Sequence, residues 1–365
     1  MIEVIEDREA LVALKPAWDA LAHGHGSPLL SHDWFMSCLE TVNATQPVRV
    51  VVLRDAGDGG GGRDIRAIAP LCLERQPSGT VLAMIGVSVL YEPSGFLYTD
   101  PDSLHRLLQG VIGLGLPLSL LRMPDDPHLH DSLDRLAWTR AIVYRRPSAP
   151  SAFLALPDTW DTFLAGLSAS RRRDLRRKLR LKCLERSGQV SLRIVDPAPG
   201  ELSELLRQAM AVEDAGWKGR NGSSLLKRAD LREFFSRYTG RACEAGVLRL
   251  CYLDVDGMPV SMHIAIEANG AFWVLKMGYD EALSKCSPGS QLAMDTIEFS
   301  VRRQLSRYEF LGVEEDWQHA WPVQRHAHFT VLICPYSLSG LKGAAGLFMA
   351  AARKLLRSRN ASARP

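Results

Sequence analysis

The run from Ala271 to Leu305 constrains the fold more than any other stretch, because it reads as strand, tight turn and helix in direct succession. Phe272, Trp273, Val274 and Leu275 suit a pleated, buried surface, and they lead into Met277-Gly278-Tyr279-Asp280. After a polar loop, Ser287-Pro288-Gly289 opens a helix, with Ser as N-cap and Pro where its missing N–H costs nothing. Ala293, Ile297, Val301 and Leu305 recur at every fourth residue, so one face of that helix packs on a sheet. The first turn of such a helix holds backbone N–H groups without helical partners at the positive end of the macrodipole, and Gly289 lets a bulky anion approach. Two readings stay open: Ser287, Pro288, Gly289 and Ser290 form a phosphate-binding turn, or they are simply a good helix start.

A chain of 365 residues with 46% apolar and 23% charged residues is of globular composition and long enough for two domains. Its net charge of +3 does not by itself call for a nucleic-acid or membrane partner. Seven cysteines without a C-x-x-C pair, and an acidic start at Glu3, Glu6 and Asp7, argue against secretion. The longest apolar run, Val111 to Leu121, is broken by Gly and Pro and is too short to cross a bilayer. A cytoplasmic location is therefore expected.

In chain order, helices are predicted over residues 8–22 and 31–43, then strands over Val48–Arg54 and Ile65–Leu73 around a glycine-rich hairpin loop. That loop lacks the Lys-Ser/Thr and helix of a P-loop. Strand Thr80–Gly86, helix Asp102–Leu114, strand Leu116–Arg122 and helix His128–Trp138 follow, and residues 147–152 read as a crossing or linker segment. A second strand is expected to end at Tyr91. Beyond the linker the order repeats: strand Val247–Asp254, an Asp256-Gly257 turn, strand Val260–Glu267, then Ala271–Tyr279, the helix from Ser287 and strand Tyr308–Gly312. The expected division is 1–152, 153–335 and a terminal helix and tail over 336–365.

Between the halves, eight of the twelve residues from Arg171 to Lys182 are Arg or Lys, which suits an anionic ligand or a solvated face. Trp217-Lys218, between Gly216 and Gly219, can set a stacking ring and a cation at a cleft rim, or cap the core. Lys276 breaks the apolar alternation of its strand, so it faces a cleft or is paired.

Together these residues resemble a family. Trp217-Lys218, Leu275-Lys276, Tyr279-Asp280, Ser287-Pro288-Gly289 and Glu309-Phe310-Leu311, leading to Glu314-Glu315 and Trp321, are similar to the GNAT-fold acyltransferases first described with bacterial cellulose biosynthesis. That family is related to the Fem-type aminoacyl transferases. Ser31-His32-Asp33-Trp34 and Ala67-Ile68-Ala69-Pro70-Leu71 resemble its N-terminal portion, so the likeness reaches to about Pro335. The chain departs from the family at Trp317-Gln318, where a Tyr-Lys is expected before the Trp.

The resemblance implies an α+β protein of two tandem GNAT-like units, each a mixed, mostly antiparallel sheet flanked by helices. It implies acyl-CoA or an acyl-carrier protein as donor, its pyrophosphate on the turn at Ser287 to Ser290, and an amine acceptor near Trp217, Lys218, Glu315, Trp317 and Trp321. Acyl transfer needs a proton acceptor, a donor to the thioester oxygen and an acid for the thiolate. Asp280, Glu314 and His263 are the candidate bases, His263 being also readable as a hydrogen-bonded strand residue; Tyr279 is the candidate thiolate acid or a substrate stacker; the backbone of the strand ending at Gly278 is the candidate oxyanion donor, and Lys276 and Gly278 are candidate cofactor contacts. Two alternatives are a Fem-like transferase using aminoacyl-tRNA, for which Arg171–Lys182 would bind RNA, and a non-catalytic component of an exopolysaccharide system. No metal is expected, since three His-x-His pairs lack carboxylate or Cys neighbours in sequence. The tail from Leu341 to Leu356 is read as an amphipathic helix that packs on the domain or touches an acidic membrane surface.

Overall fold

The computed structural model describes residues 1–55, 64–77, 79–167 and 183–344. The basic run Arg171–Lys182, the glycine-rich loop and the tail beyond residue 344 lie outside the described residues. The protein is α+β, with mixed, mostly antiparallel sheets flanked by helices, in two compact units.

The first unit comprises Met1–Phe35, Asn43–Ala149 and Ala327–Pro365, so the chain's last described segment clusters with its beginning. Strands Ile2–Ile5, Val50–Arg54, Ile65–Ala69 and Leu97–Tyr98 form one antiparallel sheet. The strand predicted over Ile65–Leu73 is cut at Pro70, which has no N–H to give to a ladder. Its second piece, Leu71–Gln76, pairs instead with Gly79–Met84, which runs parallel to Leu118–Pro124. No strand ends at Tyr91: Val87–Leu90 is a helical turn between left-handed Gly86 and Tyr91. Helix Pro101–Gly113 starts as its sequence dictates, Asp100 accepting the Ser103 N–H at 2.8 Å ahead of a proline, and buries Leu104, Leu107, Leu108 and Val111.

The second unit comprises Met36–Val42 and Pro150–His326. Residues 147–152 carry the chain from one unit to the other, as expected, but as part of a strand, Ala141–Ala155, whose Pro150 carbonyl accepts the Glu314 N–H at 2.9 Å. The order of strands is Val190–Val195, Leu248–Val255, Met258–Ala268 and Ala271–Tyr279, all antiparallel, and then Arg307–Leu311, parallel to Ala271–Tyr279. The hairpin turn at Asp256 and Gly257 has both residues at positive φ, +49° and +77°, the geometry that matches strand twist. Helix Pro288–Arg302 covers one face, burying Leu292, Ala293, Ile297 and Val301, while Leu305 falls beyond its end. Helix Pro199–Asp214 packs near the other, where the Tyr252 hydroxyl donates to the Leu205 carbonyl at 2.6 Å.

Each unit therefore contains the same device, two parallel strands joined through a helix. In the first, only Leu82 and Ala83 pair with Leu118 and Ser119; in the second, only Ala271, Phe272 and Trp273 pair with Arg307, Tyr308 and Glu309.

Candidate functional site

The strand Ala271–Tyr279 changes character halfway. Ile264 pairs with Lys276 and Ala265 with Val274, so Leu275 is an extra residue, a β-bulge. Ala271 to Leu275 are buried; Lys276 to Tyr279 are half-exposed. Pairing with Arg307–Leu311 has already stopped at Trp273, so the bulged half borders a gap between parallel strands. The bulge is the physical reason why Lys276 breaks the apolar alternation.

Lys276 is paired, not bare. Its Nζ lies 3.6 Å from Glu213 Oε1, and Lys218 Nζ lies 3.1 Å from the same oxygen. Lys218 also donates to the Met277 carbonyl at 2.8 Å, and the Leu225 N–H donates to Glu213 Oε2 at 2.8 Å. Lys276 Nζ stands 5.4 Å from the centre of the Phe235 ring. The Glu213 side chain is fully buried, while both lysines keep about a fifth of their surface, 21% and 20%. Two ammonium groups thus share one buried carboxylate at the open end of the strand. Close glycines make this possible: a Cβ at Gly278 would stand 2.9 Å from Glu213 Cα, and one at Gly216 would stand 2.9 Å from the Tyr279 carbonyl. Trp217 is 47% exposed beside them.

The helix start lies against the same strand end. Ser287 does not cap with its hydroxyl; it sits at φ +51° and offers its carbonyl to the N–H groups of Ser290 and Gln291 at 3.1 and 3.2 Å. Its own N–H donates to Ser284, and Pro288 has none. Among the described residues the Gly289 N–H is the first-turn donor left over, and a Cβ there would come within 3.1 Å of the Tyr279 ring. The first turn thus offers fewer spare donors than its sequence suggests. Asp280 accepts the Ala282 N–H at 2.9 Å and caps the short turn ending at Cys286, which is joined to Cys183 by a disulfide.

The remaining candidates are elsewhere in this unit. His263 is buried under the helix, its Nδ1 3.5 Å from Thr296 Oγ1, and burial pushes its pKa down to about 3, so it is neutral and shut away from solvent. Glu314 accepts Arg325 at 2.6 Å and His319 at 2.6 Å, hydrogen bonds that hold its carboxyl below the usual range, Arg325 first. Glu315 accepts the Trp317 indole N–H at 2.7 Å, Trp317 lies edge-on to Phe310, and Trp321 is buried in the core near Phe163. No group of three or more His, Cys, Asp or Glu among the described residues is placed to hold a metal.

Two features lie outside the candidate residues that the sequence offers for chemistry. Glu309, in the last register pair before the strands part, is buried and lies 3.1 Å from His326 Nε2, with Arg307 at 3.5 Å. His326 stacks on Phe153 with ring centres 4.1 Å apart. A polar residue in the apolar run Tyr308–Leu311 was the available signal; its partner, seventeen residues on, was not readable from spacing.

The second is Asp295, on the helix Pro288–Arg302, which accepts Gln291 Nε2 at 3.0 Å and whose pKa burial pushes up to about 7. A carboxyl that ionises later when folded than when unfolded opposes folding at high pH: the penalty is absent below about pH 4, grows between there and pH 7, and is complete above. Asp295→Asn is therefore expected to stabilise the protein by about 2 kcal/mol at pH 8 and by little at pH 4, read from urea midpoints at both. Equal gains at the two pH values would refute the assignment.

The parallel strands of this sheet part beside a helix start, and the comparisons bear on the same stretch of chain. Residues 169–319 match the family model described as the Acetyltransferase (GNAT) domain. FemX is similar to the chain at 11% identity and TM-score 0.59, over 92% of this chain and 98% of that one. A C-terminal domain described as part of a lysylphosphatidylglycerol synthetase from Agrobacterium fabrum is 9% identical at TM-score 0.54, over 93% and 96%. L-PGS from Bacillus licheniformis is 13% identical at TM-score 0.51, over 89% and 91%. At these identities the likeness is one of fold. No curated protein matches the chain in sequence.

Proposed function

We propose that the unit holding residues 150–326 is an N-acyltransferase that moves an acyl group from a pantetheine thioester, on coenzyme A or an acyl-carrier protein, to an amine. The observation that carries this reading is the parting of the parallel strands after Trp273 and Glu309, with the bulged strand on one side and the helix start at its end. An extended pantetheine arm pairs its amides with the freed edge near Gly278 as a strand would. Gly289, between Ser287-Pro288 and Ser290, gives the pyrophosphate its N–H, with the ammonium groups of Lys218 and Lys276 at the same strand end. The amine nitrogen forms the new C–N bond, the C–S bond breaks, the ammonium proton goes to a base, and Tyr279 supplies a proton to the thiolate. The His326–Glu309 pair at the parting point suits the base better than buried His263 or ion-paired Glu314, with Asp280 next. Trp217 is assigned to the acceptor, and so, from the family likeness, is the Glu315–Trp317 pair. The acceptor class is a polysaccharide, lipid or small-metabolite amine.

The test is a melting-point screen against coenzyme A, acyl-CoAs and an acyl-carrier protein, on the native chain and on Gly289→Trp. An indole at 289 displaces the Tyr279 ring and covers the one spare amide. The expected result is a ligand-induced rise in the native chain that is lost in the variant; equal rises in both would overturn the site. The charge density of Arg171–Lys182 supports a second reading, an aminoacyl-tRNA donor. Steeply salt-dependent tRNA binding with no acyl-CoA response would select it.

A further inference from the structure

The first unit carries a patch that the acyl-transfer reading does not use. Trp138 is 80% exposed, Leu338 82%, Leu341 53% and Tyr336 51%. Tyr336 ties the patch together: its hydroxyl donates to the Trp138 carbonyl at 3.2 Å and its N–H to the Arg140 carbonyl at 3.3 Å. Trp138 is held outward in a turn at φ +65°, a strained conformation for a bulky residue that here gains no burial.

The helical residues 338–344 behave the same way. Their inward side is fixed: a Cβ at Gly340 would fall 1.9 Å from the Pro335 carbonyl oxygen and one at Gly343 2.8 Å from Pro117. Ser337 Oγ donates to the Gly115 carbonyl at 2.5 Å and accepts the Gly340 N–H at 2.9 Å. Leu338, Leu341 and Lys342 are therefore left on the exposed side by construction. Large apolar side chains gathered in one exposed place mark an interaction surface.

Charge identifies the partner. Arg140 and Lys342 are exposed at the patch, and the acidic residues of the preceding helix are already paired, Asp131 with Arg135 at 3.7 Å and Asp134 with Arg145. The last carboxylate side chain in the sequence is Asp316; residues 317–365 hold seven Lys or Arg and no Asp or Glu. Trp and Tyr favour the interfacial layer of a bilayer, and basic residues beside them favour anionic headgroups. We propose that Trp138, Tyr336, Leu338 and Leu341, with Arg140 and Lys342, dock the protein peripherally on an anionic lipid surface.

Flotation of the full chain with vesicles tests this, using phosphatidylcholine alone and an equimolar mixture with phosphatidylglycerol. Flotation is expected with the anionic vesicles, falling as salt is raised, and little with the neutral ones. Lys342→Glu is expected to lower it about fivefold, and Trp138→Ser combined with Leu338→Ser at least about tenfold. Both variants should keep the native melting point, since the side chains changed are exposed. Absence of flotation on anionic vesicles, or flotation unchanged in both variants, overturns the proposal. Concentration-dependent self-association that the double variant abolishes, without vesicle binding, would overturn it in favour of a second copy of the chain.

Discussion

Replacing Glu213 by Ala lowers the unfolding free energy by about 3–5 kcal/mol, the cost of leaving buried partners without their counter-charge. The carboxylate is fully buried and is shared by Lys218, Lys276 and the Leu225 N–H. Removing it takes the shared counter-charge from two ammonium groups that keep only a fifth of their surface in water, and orphans a buried backbone donor. Glu213→Gln keeps an oxygen for Leu225 but no charge, so it should recover part of the loss and no more. The measurement is a urea midpoint at constant m for the three proteins. A loss below about 1 kcal/mol in Glu213→Ala is what an exposed ion pair yields, and would mean that water reaches the cluster. Melting-point shifts by acyl-CoA should weaken in both variants, because Lys276 is aimed by Glu213 as well as by its own bulge.

Why the sequence shows some of this and hides the rest follows from the range of each interaction. Ala271–Tyr279 and the helix from Pro288 are legible because alternation, a proline at N1 and a fourfold apolar repeat are local signals. The break at Pro70 was legible too, and was passed over because Ile65 to Leu73 is apolar enough to read as one strand. The crossing at residues 147–152 is legible from two prolines in six residues, but its strand conformation is not, because only long-range pairing supplies it. The same division runs through the site. Lys276 announces itself by breaking a pattern, but the bulge at Leu275 and the buried carboxylate sixty-three residues earlier exist only once the sheet and the helix Pro199–Asp214 are packed. Ser287 reads as a side-chain cap, whereas its left-handed backbone turns the hydroxyl away from that duty. Glu309 was visible as part of a family-like motif, and its role waits on His326 arriving from another strand.

His326 carries the second large effect. If it takes the ammonium proton, His326→Ala lowers kcat/KM by about 10²–10⁴, with KM for the acyl donor little changed, since the proposed donor contacts are Gly289 and the lysines. Glu309→Gln should cost less, about tenfold to a hundredfold, because a glutamine still accepts the imidazole N–H and loses only the charge that stabilises the protonated ring. His263→Ala makes the contrast. That imidazole is buried and neutral, so its loss opens a cavity and lowers stability while the folded fraction keeps its rate. Free thiol released from acyl-CoA with an amine panel reads all three, normalised to folded protein. A His326→Ala enzyme that turns over like the native one, or a His263→Ala enzyme that loses turnover with its fold intact, would move the base away from the parting strands. In that case the next carboxylate to take is Asp280, whose Oδ1 accepts the Ala282 N–H and which follows Tyr279 in the chain.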